Sequence, residues 1–246
     1  MAFYESSEVK LYYEVHDNSP GGDGFPLLLI APGGMQSSVG HWENAPWNPI
    51  EQLSGTYKVI AMDQRNAGQS TAPITADDGW HVYTRDQLDL LDHLGVEEFH
   101  VAGMCIGGPY CFGLIREAPE RVASAVLFQS IGRHENRDAF YAMFNGWADQ
   151  LRPRRPEVSE ATWSTFRESM YGGDRFLFNV DRDFVARCRT PLLVLCGNDL
   201  YHPKPTSEDI ASLAPNSQFI EQWKTGEDQA EAKAAVEKFL AANTPG

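Results

Sequence analysis

Short apolar runs alternate along this chain with longer segments of helical spacing, and this alternation limits the available folds more than any other feature. Pro26–Ala31 is apolar throughout, whereas Thr84–Leu94 carries leucines at helical spacing and is followed by Gly95. Strands that are apolar on both faces have to be covered on both sides, as in a parallel sheet between two layers of helices. The sequence therefore predicts an α/β fold with a mostly parallel, twisted sheet and helices on both faces.

The same patterns place the individual elements. The predicted strands are Val9–Val15, Pro26–Ala31, Tyr57–Met62, Phe99–Met104, Ala123–Gln129, Pro191–Cys196 and Gln218–Trp223. The predicted helices are Thr84–Leu94, Gly107–Glu117, Ser207–Leu213 and Gln229–Ala241.

The interval 132–187 interrupts the alternation. It holds 10 of the 28 aromatic residues of the chain, shows several helical patterns and contains no convincing strand. An aromatic-rich helical insertion between two strands is typical of a lid over a pocket, although it could instead form a satellite core that buries its own aromatic residues. We predict a core of residues 1–131 and 188–246 and a helical cap of residues 132–187, in a single compact domain.

Charge and cysteine content exclude several classes of protein. The net charge of −14 disfavours binding to nucleic acids or to anionic membrane surfaces. The four cysteines form no CxxC pair and no zinc-site spacing, and the chain is too long to be read as a small disulfide-bonded domain. The N-terminus lacks the pattern of a signal peptide, and no apolar run approaches the ~20 residues of a membrane span. We expect a soluble, cytoplasmic protein that needs no metal or other cofactor.

The segment Val101–Pro109 carries the strongest chemical signal. It combines a strand, the sequence Gly103-Met104-Cys105-Ile106-Gly107 and the start of a helix. A nucleophile on so sharp a turn needs small neighbours, and the helix dipole at that position favours the thiolate. The alternative is that Cys105 is a small buried apolar residue, which is the usual environment of a free cysteine.

Four segments together resemble the α/β-hydrolase superfamily, and the resemblance extends over essentially the whole chain. They are the glycine loop Pro32-Gly33-Gly34-Met35, the segment Asp63-Gln64-Arg65-Asn66-Ala67-Gly68-Gln69-Ser70, the elbow around Cys105, and the loop Gly197-Asn198-Asp199-Leu200-Tyr201-His202-Pro203. The second segment is similar to the family pattern Asp-x-Arg-Gly-x-Gly-x-Ser.

This resemblance implies an α/β-hydrolase fold with a helical cap inserted before the penultimate core strand. It also implies that Cys105 is the nucleophile and that Asp199 is the acid of the triad. The backbone amides of Gly34, Met35 and Ile106 would form the oxyanion hole. The implied pocket residues are His41, Trp42, Phe144 and Trp147.

The chain departs from the family at the position of the triad histidine. That residue should follow the last strand, but no histidine occurs after His202, and Glu227 or a close neighbour occupies the expected place. A glutamate with a pKa of about 4.3 is mismatched by ~4 units to a thiol of pKa about 8.5. Glu227 would therefore act better as a protonated acid, sharing a proton with Asp199, than as a base.

His202 offers a second solution. It lies three residues after Asp199 on the loop that carries the triad acid, so it could turn inward and act as the base for Cys105. It could equally be a surface histidine before Pro203, and His41 is a weaker candidate for the base.

Three functions are compatible with these residues. The first is a cofactor-independent hydrolase or acyl-transfer enzyme that acts through Cys105 on a small apolar or aromatic ester, thioester or lactone. The second is a lyase, isomerase or decarboxylase that uses Glu227 and Asp199 as acid–base groups. The third is a protein that binds a small molecule without turnover, because one fold can host all of these functions.

Overall fold

The computed structural model describes residues 2–246 and contains one sheet of eight strands. The strands are β1 (Ala2–Ser6), β2 (Val9–His16), β3 (Phe25–Ile30), β4 (Tyr57–Met62), β5 (Phe99–Met104), β6 (Val122–Phe128), β7 (Leu192–Leu195) and β8 (Ser217–Ile220). The helices are α1 (Pro49–Leu53), α2 (Trp80–His93), α3 (Gly107–Glu117), α4 (Arg137–Leu151), α5 (Glu160–Tyr171), α6 (Arg182–Arg187), α7 (Lys204–Leu213) and α8 (Gly226–Ala242).

The order of the strands brings the functional loops together. The sheet runs β1-β2-β4-β3-β5-β6-β7-β8, and all neighbouring pairs from β4 to β8 are parallel, whereas β1 and β2 are antiparallel additions at one edge. The loops after β3, β5 and β7 therefore leave the same edge of the sheet, where ligands bind in open α/β sheets. The predicted mostly parallel sheet is confirmed.

Both faces of the sheet are buried, as the apolar strands required. Along β3, Leu27 and Leu29 join one core, while Leu28 and Ile30 join the other. The first core contains apolar residues of α1 and α8, and the second contains those of α2, α3 and α7. Because alternate side chains of a strand point to opposite faces, helices cover the sheet on both sides.

The segment between β6 and β7, residues 129–191, contains α4, α5 and α6 and is called the helical insertion below. Its aromatic residues pack continuously with those of α2 and α3. The ring of Tyr171 lies 5.9 Å from that of Trp80 and 5.2 Å from that of Phe140. These side chains belong to one core cluster with Tyr110 of α3, so the alternative of a separate satellite core does not describe them.

Some predicted element boundaries were wrong. β1 and α1 were not predicted, because β1 is a short, mostly exposed edge strand and α1 has only five residues. The last strand ends at Ile220 rather than at Trp223. The backbone leaves the sheet there because the Trp223 ring packs against Trp47 and Phe128 and its Nε1 donates to the carbonyl of Cys196. Among residues 2–246, no helix combines the length and apolarity that a bilayer span requires.

A buried ion network fixes the loop after β4. Arg65 donates to both carboxylate oxygens of Asp86, at 2.7 and 3.0 Å, and to Asp78 at 3.0 Å. All three side chains are 6% exposed or less. Burial raises the pKa of Asp78 and of Asp86, and the guanidinium opposes that effect. Arg65 therefore stabilises two carboxylates that would otherwise be buried without a partner.

Replacing Arg65 by methionine should destabilise the fold by about 3–5 kcal/mol, because the change leaves buried carboxylates unpaired. Urea unfolding measures this loss as a lower midpoint. Lys10→Met is the matched control: the ion pair of Lys10 with Glu5 is 44% and 63% exposed, so the expected loss is below about 1 kcal/mol. Equal losses for the two variants would contradict the assignment.

Candidate active site

Cys105 lies on a sharp turn between β5 and α3. Its φ is +60°, a conformation that is rare for a side chain other than glycine and that raises the thiol above the edge of the sheet. The flanking glycines are required sterically. A Cβ at Gly103 would lie 2.4 Å from the carbonyl oxygen of Gly107, and one at Gly107 would lie 2.8 Å from the carbonyl oxygen of Ile30. The small residues seen in the sequence are thus what the close approach of β5, α3 and β3 demands.

The backbone of this turn is fixed to the neighbouring strand. The amide of Cys105 donates to the carbonyl of Phe128 at 3.0 Å, and the amide of Ile131 donates to the carbonyl of Cys105 at 3.1 Å. Cys105 as a residue is half-buried, whereas Cys111, Cys188 and Cys196 are buried. Burial raises the pKa of each of those three thiols. Cys105 is the cysteine whose surroundings favour the thiolate.

The loop after β7 folds His202 back toward the elbow. Asp199 accepts hydrogen bonds from the backbone amides of Tyr201 and His202, each at 3.0 Å, and its two oxygens both lie 2.8 Å from His202 Nδ1. The fold of this loop depends on Gly197, where a Cβ would lie 2.4 Å from the carbonyl oxygen of His202. The His202 side chain is 12% exposed, so it is not a surface histidine.

The pKa values of the three groups are all shifted toward their charged forms. Burial alone would raise the pKa of the Cys105 thiol, but the positive charge of His202 and a polar contact with its ring lower that pKa below its usual value. Burial alone would lower the pKa of His202, but Cys105 and then Asp199 raise it. Burial also opposes ionisation of Asp199, yet its hydrogen bonds with His202 hold its pKa below the usual range. The arrangement favours a thiolate beside an imidazolium.

The free ring nitrogen of His202 is available for proton transfer. Asp199 occupies Nδ1, so only Nε2 remains for a second partner. This buried atom has no hydrogen-bond partner among residues 2–246. Its interaction with the Cys105 thiol is therefore longer or less well aligned than an ordinary hydrogen bond. Such catalytic contacts commonly tighten only when substrate binds.

Two backbone amides face the thiol. They belong to Ile106, as predicted from the resemblance, and to Gly33, which precedes the predicted Gly34 and Met35. Gly33 and Gly34 have φ values of +117° and +58°, so this turn needs glycine at both positions. The side chain of Met143 from α4 lies over Gly34, where a Cβ would be 2.8 Å from its sulfur. The loop, defined as residues 32–36 and called the oxyanion loop below, is thus clamped by the helical insertion.

Glu227 lies apart from this group. It is exposed in the first turn of α8, and it is not among the groups that shift the pKa of Cys105 or His202. Trp223, four residues earlier in the chain, is buried. Its indole lies among apolar side chains.

The four implied pocket residues fall into two groups. Trp42 is fully buried beside Phe128, and Phe144 is fully buried against Trp147 and Phe166, so both are core residues. His41 and Trp147, by contrast, line a cleft of about 670 Å³ beside the oxyanion loop. No cluster of three or more metal-ligating side chains is found in the part of the chain that the structure describes.

Comparison with known proteins identifies the family. A family model described as the alpha/beta hydrolase fold matches residues 26–190. The chain belongs to the α/β-hydrolase family. The predicted α/β-hydrolase fold is thereby confirmed.

Two curated relatives carry the name "Putative carbamate hydrolase RutD". The protein of Azorhizobium caulinodans is 35% identical over 133 residues, which cover 54% of this chain and 46% of that protein. The protein of Caulobacter sp. (strain K31) is 30% identical over 242 residues, with 87% of each chain covered. For three of the curated relatives, including the Azorhizobium protein, this chain spans only about half of the relative's length.

A solved structure shares the fold of this α/β-hydrolase over its whole length. The enol-lactonase from Burkholderia xenovorans LB400 superposes with a TM-score of 0.70 at 20% identity, and the alignment covers 98% of this chain and 100% of that one. The two RutD relatives and the enol-lactonase all carry the names of hydrolases.

Sequence reasoning missed three contributors to the site. Gly33 donates the second amide, Gly197 permits the reversal of the acid loop, and Asn136 holds that loop by donating to the carbonyl of Leu200 at 2.8 Å. The glycines were visible in the sequence as turn residues. Asn136 gave no signal, because its contact joins the helical insertion to a loop 64 residues later.

The reactivity of Cys105 toward iodoacetamide should reveal the influence of His202. In the native protein, the midpoint of the alkylation profile should lie below the pH of about 8.5 at which an ordinary thiol ionises. In His202→Ala, the midpoint should move to higher pH, because burial then acts on the thiol without the compensating charge. Mass spectrometry of the labelled peptide measures both profiles.

Cys196→Ala provides the control for this experiment and should leave the profile of Cys105 unchanged. An identical midpoint in the native protein and in His202→Ala would show that His202 does not lower the thiol pKa.

Proposed function

We propose that this α/β-hydrolase is a cofactor-independent enzyme that hydrolyses a small ester, thioester or lactone, or transfers its acyl group, through Cys105. The observation that carries the proposal is the connected set of Asp199, His202 and Cys105. His202 Nδ1 is bound by the carboxylate, while Nε2 is free and next to a thiol of lowered pKa. This is the arrangement of a nucleophile, a base and a group that orients the base.

In the first half of the proposed reaction, the Cys105 thiolate attacks the carbonyl carbon and a carbon–sulfur bond forms. The carbonyl π electrons move to oxygen, and the amides of Ile106 and of the oxyanion loop stabilise that negative charge. The intermediate then collapses, and the bond to the leaving group breaks. His202 Nε2 donates its proton to the departing atom, which leaves a neutral imidazole and an acyl-thioester on Cys105.

In the second half, neutral His202 accepts a proton from water as the water oxygen attacks the thioester carbonyl. The carbon–sulfur bond breaks, the acid product departs, and the thiolate and imidazolium are restored. Asp199 stabilises the imidazolium at both stages and keeps Nδ1 protonated. If an alcohol or an amine replaces water, the same steps transfer the acyl group.

The expected size of the acyl group follows from the dense aromatic packing of the insertion. Tyr171 and Phe140 stack at 5.2 Å above the loop that contains Met35, and the Tyr171 hydroxyl lies 3.5 Å from the Met35 sulfur. Aromatic packing this dense favours a small apolar or aromatic acyl group over an extended one. In this role residues 132–187, which form most of the helical insertion, serve as the cap.

The RutD relatives, named as carbamate hydrolases, support a hydrolytic reaction at a carbonyl carbon. The lyase, isomerase or decarboxylase alternative relied on Glu227 together with Asp199. The exposure of Glu227 and the commitment of Asp199 to His202 leave that alternative without its acid–base pair. The alternative of binding without turnover is excluded if the expected activity is found.

Activity toward para-nitrophenyl acetate tests the proposal. Cys105→Ala should abolish turnover, and His202→Ala should lower kcat/KM by about 10²–10⁴-fold, because the general acid and base is lost. Asp199→Asn should lower kcat/KM and shift its pH dependence. In the native enzyme, activity should appear as pH rises through the lowered pKa of Cys105 and decline as pH rises through the raised pKa of His202.

Glu227→Gln is the matched control for the acid–base assignment. It should change kcat/KM by less than about 3-fold, because an exposed group away from the thiol does not affect the transition state. Activity that survives Cys105→Ala, or a larger loss in Glu227→Gln than in His202→Ala, would overturn the mechanism.

A further inference from the structure

The cleft beside the oxyanion loop is not used by the proposed mechanism. It has a volume of about 670 Å³ and lies between the loop after β3, the loop after β4 and the C-terminal end of α4. Its polar lining includes Gln36, His41, Gln150, Arg154 and Arg155. A cavity of this size accommodates a small organic group.

His41 joins this cleft to the reacting centre. Its Nδ1 lies 2.9 Å from the hydroxyl of Ser38, and its ring rests on Gly33, where a Cβ would lie 2.9 Å from Nε2. Gly33 is also the residue whose amide faces the Cys105 thiol. His41 and Gly33 therefore form a wall that the cleft shares with the oxyanion loop. Only this loop would separate a group bound in the cleft from the scissile carbonyl of a substrate.

The charge of the cleft is opposite to that of the chain. The chain carries 34 acidic and 20 basic side chains, yet no carboxylate is among the described residues that line the cleft. Arg154 is exposed, and its guanidinium makes no ion pair or hydrogen bond with any residue of the range 2–246. By contrast, the nearby Arg152 pairs with Asp149 and Glu160.

Arg155 is held in place at the same wall. Its Nη2 donates to Asn66 Oδ1 at 3.0 Å and to the carbonyl of Ala72 at 3.1 Å, while Glu157 approaches its Nη1 only to 3.7 Å. Asn66 occupies the position of the first glycine in the family pattern, and its φ of +57° shows why that position usually holds glycine. The Asn66 side chain, which a glycine would lack, holds Arg155 at the wall of the cleft.

We propose that this cleft binds a carboxylate of the substrate that is remote from the scissile bond, with Arg154 as its principal partner. The inference rests on the proposed function and narrows it to esters, thioesters or lactones that carry a free carboxylate. A guanidinium without a counter-ion offers paired N–H donors that match the two oxygens of a carboxylate. The absence of acidic side chains in the lining leaves that charge unopposed.

Two matched pairs of esters test this inference, because the carboxylate can lie on either side of the scissile bond. One pair is para-nitrophenyl butyrate and mono-para-nitrophenyl glutarate, and the other is phenyl acetate and para-acetoxybenzoate. In at least one pair, native kcat/KM should be about 10-fold or more higher for the anionic ester than for the neutral one. Arg154→Gln should remove most of that preference, and high salt should weaken it.

Arg187→Gln is the control, since it makes the same charge change at an exposed residue before β7, at the opposite edge of the sheet from Cys105. It should retain the preference. Hydrolysis of both members of each pair at equal kcat/KM, or a preference that Arg154→Gln does not reduce, would overturn the inference while leaving the proposed function intact.

If the native protein hydrolyses none of the four esters, the proposed function fails and calorimetric binding of glutarate decides the inference alone. Binding that Arg154→Gln weakens about 10-fold, and that Arg187→Gln retains, would support a carboxylate site. No binding to the native protein would overturn it.

Discussion

The contact between Asp199 and His202 determines how the rest of the candidate site is arranged. Asp199 binds the imidazole with both oxygens and also accepts two amides of its own loop, so one carboxylate shapes the loop and orients the base. The acid and the histidine are three residues apart, which makes their relative position a local property of the chain. In the proposed mechanism the base therefore does not come from the segment after the last strand.

The segment after β8 is therefore free to take a structural role. Trp223 lies three residues after β8 and is buried against Trp47 and Phe128. Its Nε1 donates to the carbonyl of Cys196 at 2.7 Å, immediately before the loop that carries Asp199. Trp223 thus supports the start of the loop that carries Asp199 and His202.

Local steric requirements explain which parts could be predicted from the sequence. The elbow was predictable because the glycines around Cys105 are required by close backbone contacts at the turn itself. The parallel sheet was predictable because its strands are apolar on both faces. The direction of His202 was not, because it depends on the reversal at Gly197 and on the distant Asn136. The amide of Gly33 depends on two positive φ values that glycine permits but does not specify.

The balance of charges at the site explains why a cysteine suits this arrangement. Burial favours the uncharged forms of both Cys105 and His202, so the thiolate–imidazolium pair depends on mutual attraction and on Asp199. The usual pKa of a thiol, about 8.5, is only about 2 units above that of histidine, about 6.5, and these interactions narrow that gap from both sides. An aliphatic hydroxyl is a much weaker acid, so its gap to histidine is far wider. Because Asp199 itself is 49% exposed, water limits its own burial cost, and the carboxylate can remain charged beside the pair.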